Sequence, residues 1–412
     1  MTDKSIKIRI FEKILRLMAQ IVLLRQKPFI IGITGSVGKT TTKDMIAHIL
    51  SGQKKVWSTR RNYNNEIGVP LTILGIDRDV NSFAGIFYII YRWICAVMTT
   101  KYPEILVVEM GVDRPHDMDH LMSFVKPDVA VLTAISYAHS EFFDSIKDII
   151  DEKQKIIILM KAGGTAIINY DDKNIRTVIQ KTNNHVISYG IMENADVMAT
   201  DIELCFRQCH TTGLSFKLNY KGKMIPVRLH NICARHMVYA ALAALVVADV
   251  LHINIIEAVN DIADVVTSPG RMRLLEGKND VLVIDDTYNA SPKAMKAAIE
   301  TLGSAPAQRR VAVLGDMREL GKRSQKEHQK VARYVKENDV HTIFYVGKEM
   351  HNAFIISKEE QKECYHFNES SEAISKVTSY VEQGDIVLVK GSRGIHMEKV
   401  VRAIVQDPTQ TL

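Results

Sequence analysis

No two cysteines in this chain sit at CxxC spacing. The five present, Cys95, Cys205, Cys209, Cys233 and Cys364, are scattered along the sequence. That pattern argues against both a disulfide framework and a zinc ribbon, and the thiols are expected to be free in a reducing compartment. "CFRQCH" (205–210) has a loosely metal-like spacing, but no second ligand pair follows it. There is no internal repeat, no low-complexity tract and no enrichment in glycine or proline. No apolar run reaches the roughly 20 residues that a spanning helix needs. No small-residue cleavage site follows the first apolar stretch, which ends in "RQKPF", so a secretory signal is not expected. A broadly basic surface is missing too. The formal charge is +6, and residues 1–27 hold seven basic side chains against two acidic ones. The rest is close to neutral, which disfavours a nucleic-acid partner.

What the chain does have is length and order. Its 412 residues, 46% hydrophobic and 24% charged, suffice for two or three domains. "PFII" reads as a buried strand. It runs into "GITGSVGKTTT" (32–42) and then into the helix-like "KDMIAHIL". Gly35 and Gly38 allow a tight turn with N–H groups pointing inward. The new helix adds its positive end. Lys39 can reach the β- and γ-phosphates, and the Thr40 hydroxyl can ligate Mg²⁺. Ser36, Val37 and Thr41 complete the expected phosphate cradle. Strict Walker spacing would put a small residue at position 33, where this chain has Ile33, so the match is to a G-x-x-G-x-x-G-K-T variant.

Further motifs repeat the strand-then-loop pattern. "RNYNNEIGVPLTIL" (61–74) clusters Asn62, Asn64 and Asn65, either to form a turn or to bind a polar ligand. "ILVV" ends in Glu109 and "VAVLTAI" runs into His139; carboxyl ends of parallel strands are where α/β sheets place ligands. Glu109 is then either a solvated acid or a metal ligand, and His139 either structural or part of the same centre. "SIKDIIDEKQKIIILM" reads as one helix with Lys153 and Lys155 near its middle. Residues 185–230 read as a small antiparallel layer, 235–251 as an amphipathic helix and 266–276 as a linker. Beyond it, 281–302 reads as a strand, loop and helix, and 310–321, 341–347 and 385–394 each read as an apolar strand running into a Gly-containing turn, with helical stretches between, a second doubly wound domain. The expected class is α/β: a central P-loop ATPase-like domain with a mostly parallel sheet, plus a C-terminal Rossmann-like domain. The expected boundaries are 1–28 for a basic amphipathic helix, 29–266 and 267–412.

In this order, "NYNNEIGVPLTIL", "DDTYNASPKAMKAA", "LGDMRELG" and "VLVKGSRG" resemble the Mur ligase family, over roughly residues 29–405. The resemblance is greatest to the branch that adds D-alanyl-D-alanine (D-Ala-D-Ala) to a UDP-muramoyl tripeptide. It implies an ATP- and Mg²⁺-dependent ligase of peptidoglycan synthesis, working in the cytoplasm on small-molecule substrates. It places Lys39, Glu109, His139 and Lys153 at the catalytic centre, with Thr40, Glu109, His139 and a carbamylated Lys153 around metal. Lys155 competes for that last role. Arg271, Asp286, Tyr288 and Asn289 are implied to meet the nucleotide. Asn62, Asn64, Asn65, Asp316, Glu319, Ser392 and Arg393 are implied to meet substrates. Two departures stand out. The family usually has an N-terminal domain that grips UDP, and about 28 residues cannot build one, so a different acyl substrate, lipid-linked for example, is the alternative. Asparagines usual after "RH" are replaced by Met237 and Ala240. Residues 8–24 and 83–98 are apolar at helical spacing. They pack on the protein's own core or lie on a membrane surface.

Overall fold

Aliphatic runs rich in Val and Ile form the buried parallel strands of this chain, and several, such as residues 29–34, 105–109, 309–315 and 385–390, end at or next to a glycine or an acidic residue. The computed structural model describes residues 6–58, 63–78, 83–136, 142–192, 194–207, 210–230, 232–360 and 362–411. In chain order these form α1 (Ile6–Gln26), β1 (Phe29–Thr34), α2 (Lys39–Ser51), β2 (Val56–Ser58), α3 (Gly68–Ile73), α4 (Phe83–Met98) and β3 (Ile105–Glu109). Next come α5 (Asp117–Met122), β4 (Val129–Leu132), α6 (Ile146–Lys153), α7 (Lys155–Ile158), β5 (Thr165–Asn169), α8 (Lys173–Arg176) and β6 (His185–Gly190). Then follow β7 (Val197–Arg207), β8 (His210–Tyr220), β9 (Lys223–His230), α9 (Met237–Val250) and α10 (Ile255–Ala263). The remainder is β10 (Arg273–Glu276), β11 (Leu282–Asp286), α11 (Pro292–Ser304), β12 (Arg309–Gly315), α12 (Ser324–Glu337), β13 (Thr342–Val346), α13 (His351–Glu359), β14 (Glu363–Phe367), α14 (Ser370–Tyr380), β15 (Asp385–Lys390) and α15 (Glu398–Ile404).

The chain divides into two compact units. One takes residues 1–135, 145–198 and 239–262; the other takes 136–144, 199–238 and 263–412. In the first, the strands run β2-β3-β1-β4-β5-β6, all parallel. Every residue of β3 is buried, as expected when helices cover both faces of a parallel sheet. The β1–β3 register pairs Phe29 with Ile105 and Ile33 with Glu109. Glu109 therefore stands at the carboxyl edge, level with the loop that follows β1. In the second unit, β8 and β9 pair antiparallel and β9 alternates buried and exposed residues. A six-stranded sheet runs β10-β11-β15-β12-β13-β14, parallel except for β10.

Four local expectations change. The helix expected around Lys153 is two short ones, with Gln154 between them, so Lys153 ends α6 and Lys155 begins α7. The layer expected to be antiparallel begins with β6, which is parallel to β5. The helix at 235–251 is not amphipathic: Val238 and Ala240 to Ala248 are buried on every side of α9, as in a helix that is apolar all round. The expected linker contains β10, which pairs with β11 from Arg273↔Asp285 to Glu276↔Leu282. Among the described residues, no helix is long and apolar enough to cross a membrane.

Candidate active site

The loop after β1 is shaped by close approach. Gly35 has φ 150°, and a Cβ there would stand 2.1 Å from Thr133 Oγ1. Ser36 N donates to Ala134 O at 2.6 Å, and Thr133 Oγ1 donates to Val37 O at 2.7 Å. Gly38 takes φ 88° and hands the chain to α2 at Lys39. No side chain caps this helix start. Its first amides and positive dipole end thus face the loop, an arrangement that suits an anion. Lys39 Nζ folds back to donate to Gly35 O at 2.9 Å. Thr40 and Thr41 are buried.

Glu109 meets this loop. Thr40 Oγ1 donates to Glu109 Oε2 at 2.8 Å, and Asn64 Nδ2 donates to Glu109 Oε1 at 3.0 Å. Burial by itself pushes this carboxyl up. The charges of Lys39 and Lys43 and the two hydrogen bonds outweigh that, so its pKa lies below the ordinary carboxylate value. Asn65 acts locally. Its Oδ1 accepts from Ile67 N (3.3 Å) and Gly68 N (2.9 Å) at the start of α3. Asn62 and His139 lie outside the described residues.

The two competing lysines separate cleanly. Lys153 is buried, with Nζ 3.4 Å from Val112 O. Burial, reinforced by the charge of Lys39, brings its amine down to about 7, against the pull of Asp113, Glu152 and Asp117. Lys155 Nζ instead donates to Asp119 at 2.6 Å and to Glu152 at 2.7 Å. Burial lowers its pKa, but these two partners reverse the effect and raise it, which keeps it a cation. Of the two, only Lys153 offers a substantial neutral fraction of its amine near neutral pH. No cluster of three His, Cys, Asp or Glu side chains able to hold a metal occurs among the described residues.

In the second unit, β11 ends in two buried acids. Asp285 accepts from Thr287 Oγ1 at 2.6 Å and from Gly270 N at 3.1 Å; burial raises its pKa over these bonds. Asp286 Oδ2 accepts from Lys390 Nζ at 2.5 Å, and Lys390 also donates to Asn289 O at 2.9 Å. The Tyr288 ring lies 4.0 Å from the Arg271 guanidinium carbon and 5.8 Å from that of Arg393. Arg271, Asp286, Tyr288, Asn289 and Arg393 are thus brought together. Nearby His236 is buried, which takes its pKa down to about 4; Lys390 adds to this effect and Asp286 opposes it.

A cavity of about 880 Å³ opens at the carboxyl ends of β12 and β13. Asp316 and Glu319 line it, with Arg318, Lys348, Glu349 and Lys399. Asp316 Oδ1 accepts from Met350 N at 2.8 Å, and its pKa is raised, chiefly by burial. Ser392 braces the wall: its Oγ accepts from Arg318 N at 2.8 Å, and its N donates to Asp316 O at 3.0 Å. Arg393 is exposed and is not among the lining residues.

Residues 33–85 and 88–248 match the Mur ligase middle domain, and residues 270–393 match the Mur ligase glutamate ligase domain. The chain belongs to the Mur ligase family. Among Mur ligases, it is 29% identical to the UDP-N-acetylmuramoyl-tripeptide–D-alanyl-D-alanine ligase of Bacillus subtilis, over 92% of this chain and 76% of that protein. It is also 29% identical to the Escherichia coli ligase of the same name, over 92% and 77%. The crystal structure of the Thermotoga maritima MurF ligase in complex with ADP aligns with a TM-score of 0.79 and 28% identity, covering 95% of this chain and 83% of that one. For Acinetobacter baumannii MurF the values are 0.80, 27%, 95% and 79%.

Sequence reasoning missed several residues that organise this Mur ligase. Lys43, one turn beyond Lys39 and fully buried, helps hold Glu109 ionised; its i,i+4 spacing from Lys39 was the available signal. Lys390 sits inside "VLVKGSRG", yet its partner lies 104 positions away. Thr133 and His236 carried no local signal.

Proposed function

We propose that this chain is an ATP-dependent, ADP-forming ligase that joins D-Ala-D-Ala to UDP-N-acetylmuramoyl-tripeptide, a cytoplasmic step of peptidoglycan synthesis. A carboxylate is a poor acyl donor because oxide is a poor leaving group. Its oxygen attacks the γ-phosphorus of ATP, and ADP departs with the bridging oxygen. The amine nitrogen then attacks the carbonyl carbon of the acyl phosphate. The tetrahedral intermediate collapses, the C–O bond breaks, phosphate leaves and the nitrogen sheds a proton to solvent. Such chemistry needs positioning and neutralised charge more than covalent help.

The observation that carries this reading is the contact between Thr40 and Glu109 at the mouth of a loop with no room for a Cβ at Gly35. The loop amides and Lys39 would hold the β- and γ-phosphates. Thr40 Oγ1 and the Glu109 carboxylate are hard oxygen donors of the kind Mg²⁺ takes. When bound, Mg²⁺ would neutralise charge on the phosphates. We assign to Lys153 the carbamylated position, because its amine is neutral enough to add CO₂ while Lys155 is paired. His139 would share the metal centre. Arg271, Asp286, Tyr288 and Asn289 would meet the nucleotide. Asn62 and Asn64 would contact the acyl substrate; Asn65 joins them in this assignment while capping α3. Asp316, Glu319 and Ser392 would shape the site of the amine substrate, whose carboxylate Arg393 can pair bidentately. In this scheme residues 29–266 and 267–412 are the two working domains.

A second reading is a Mur-type ligase for a lipid-linked carboxylate, favoured by the exposed apolar faces of α1 and α4. We propose that residues 8–24 and 83–98 contact the inner face of a membrane on either reading. A phosphate-release assay with ATP, Mg²⁺ and D-Ala-D-Ala, with and without the UDP-muramoyl tripeptide, tests the main reading. Release that requires both substrates supports it. Release without that dependence, or none at all, overturns it.

A further inference from the structure

Two helices of the first unit bury one face and leave an apolar face outside. On α1, Leu15, Met18, Ala19 and Val22 are buried, whereas Ile10, Ile14, Leu17 and Leu24 are exposed. On α4, Ile89 and Ala96 are buried, whereas Ile86, Phe87, Ile90, Tyr91, Ile94 and Met98 form an exposed stripe at three- and four-residue spacing. Phe87 is 65% exposed and Met98 76%. A helix serving only its own core would carry polar residues there, and an apolar surface of this extent marks an interaction face. The helices pack on each other, and Gln26 Nε2 donates to Ala96 O (2.7 Å), Val97 O (3.1 Å) and Thr99 O (3.0 Å) at the end of α4.

The one charged residue of α4, Arg92, turns inward. Its Nη2 donates to Gly75 O at 2.8 Å, and its guanidinium carbon stands 5.9 Å from the Trp57 ring. Beside it opens a cleft of about 540 Å³, lined by Lys54, Lys55, Arg92, Lys101, Trp57 and Tyr102 among others. None of its lining residues is acidic. Val56 begins β2 and Pro103 precedes β3, so the cleft sits at the amino edge of the sheet, the end opposite Glu109. The catalytic assignment uses none of these residues. The chain has two tryptophans, and both are here: Trp57 in the cleft and Trp93 in α4.

We propose that this cleft binds the phosphate-bearing headgroup of an anionic phospholipid while the apolar stripes of α1 and α4 enter the bilayer interface. The inference rests on the membrane contact proposed above and is independent of the ligase reading. Its chemistry is complementary on three counts. Four cations without a carboxylate suit a phosphodiester. Trp and Tyr suit headgroup depth. The exposed cations Arg9, Lys13 and Arg25 on α1 suit an anionic surface. A second copy of the chain on this face would set two net-positive helices against each other.

Flotation of the full-length protein tests this, with neutral phosphatidylcholine vesicles and with vesicles that also contain phosphatidylglycerol. Tryptophan emission serves as a second readout. The wild type is expected to float with the phosphatidylglycerol vesicles and its emission to shift to the blue. A cation near an anionic surface is worth a factor of about five in partitioning, so K54A/K101A should lower binding roughly 25-fold. F87E/I94E, at exposed positions, should abolish it; circular dichroism checks that both variants fold. Wild-type protein unbound by either vesicle at low salt overturns the membrane contact itself. Undiminished binding by K54A/K101A overturns the headgroup cleft alone, as does saturable binding of inorganic phosphate that K54A/K101A loses. A dimer in solution that F87E/I94E dissociates assigns the face to a second copy and overturns both.

Discussion

The Thr40 hydroxyl donates to the Glu109 carboxylate across 2.8 Å, which joins the first turn of α2 to the last residue of β3. The two groups hang from neighbouring parallel strands, one of them through the loop after β1, so their spacing is fixed by the sheet. Thr40→Val should therefore keep the fold and lose catalysis. We expect a fall in kcat of about 10²- to 10³-fold, the usual effect of removing one preorganised polar group. Glu109→Gln should behave alike. Near-normal phosphate release by either variant would falsify the assignment.

Lys39→Ala removes the cation that folds over the loop. Turnover of ATP should vanish, and the thermal midpoint should stay within a few degrees of wild type, because Lys39 closes the loop through a hydrogen bond to Gly35. Nucleotide affinity measured by calorimetry should fall with activity.

Lys153 carries a pH signature. Its amine titrates near 7 in the native protein and near 10.5 when unfolded. The unfolded chain thus binds the extra proton between those values, so this group makes stability rise with pH across that window. Below 7 both states are charged and the full burial cost is felt. In bicarbonate-free buffer, Lys153→Met should gain thermal stability over wild type at pH 6, and the gain should shrink by pH 10. Separately, Lys153→Ala should lose activity that short carboxylic acids partly restore; a range of acids with no effect would count against carbamylation.

Asp286 and Lys390 form a buried pair. Removing one partner leaves the other charge buried, which costs about 3–5 kcal/mol. Asp286→Asn should lower the thermal midpoint clearly, and Asp286→Asn/Lys390→Met should recover part of the loss. A double variant as unstable as the sum of the two singles would mean the pair is not coupled.

His236 gives an acid-side test. It binds its proton only near 4, against 6.5 when unfolded. Stability should fall as pH drops from 6.5 to 4, since only the unfolded state gains the proton. His236→Gln should flatten that part of a midpoint-against-pH curve.

Local features of the fold are legible in the sequence. The phosphate loop is readable because glycines, lysine and threonine act within nine residues of one another, and Glu109 because a buried strand ends on it. The strand β14, "ECYHF", escapes notice: it lies half-buried at a sheet edge and mixes charge with aromatics. β10 reads as linker because only four residues, two of them charged, pair there. Distance hides the rest. Nothing near Asp286 announces Lys390, and nothing near Lys153 announces the buried surroundings that neutralise it. The inward-turned Arg92 is likewise unreadable, because sequence gives a side chain's charge and not its direction.

The amide of Gln26 has one last implication. Three carbonyls at the end of the apolar helix depend on a single side chain contributed from seventy residues earlier. Trimming the leading helix to obtain a tidier protein would strip that clasp as well as a stretch of sequence. The shortened chain would fray at the neighbouring helix end and bare the apolar surface that α1 now covers on α3 and α4, so precipitation on purification would be its first phenotype.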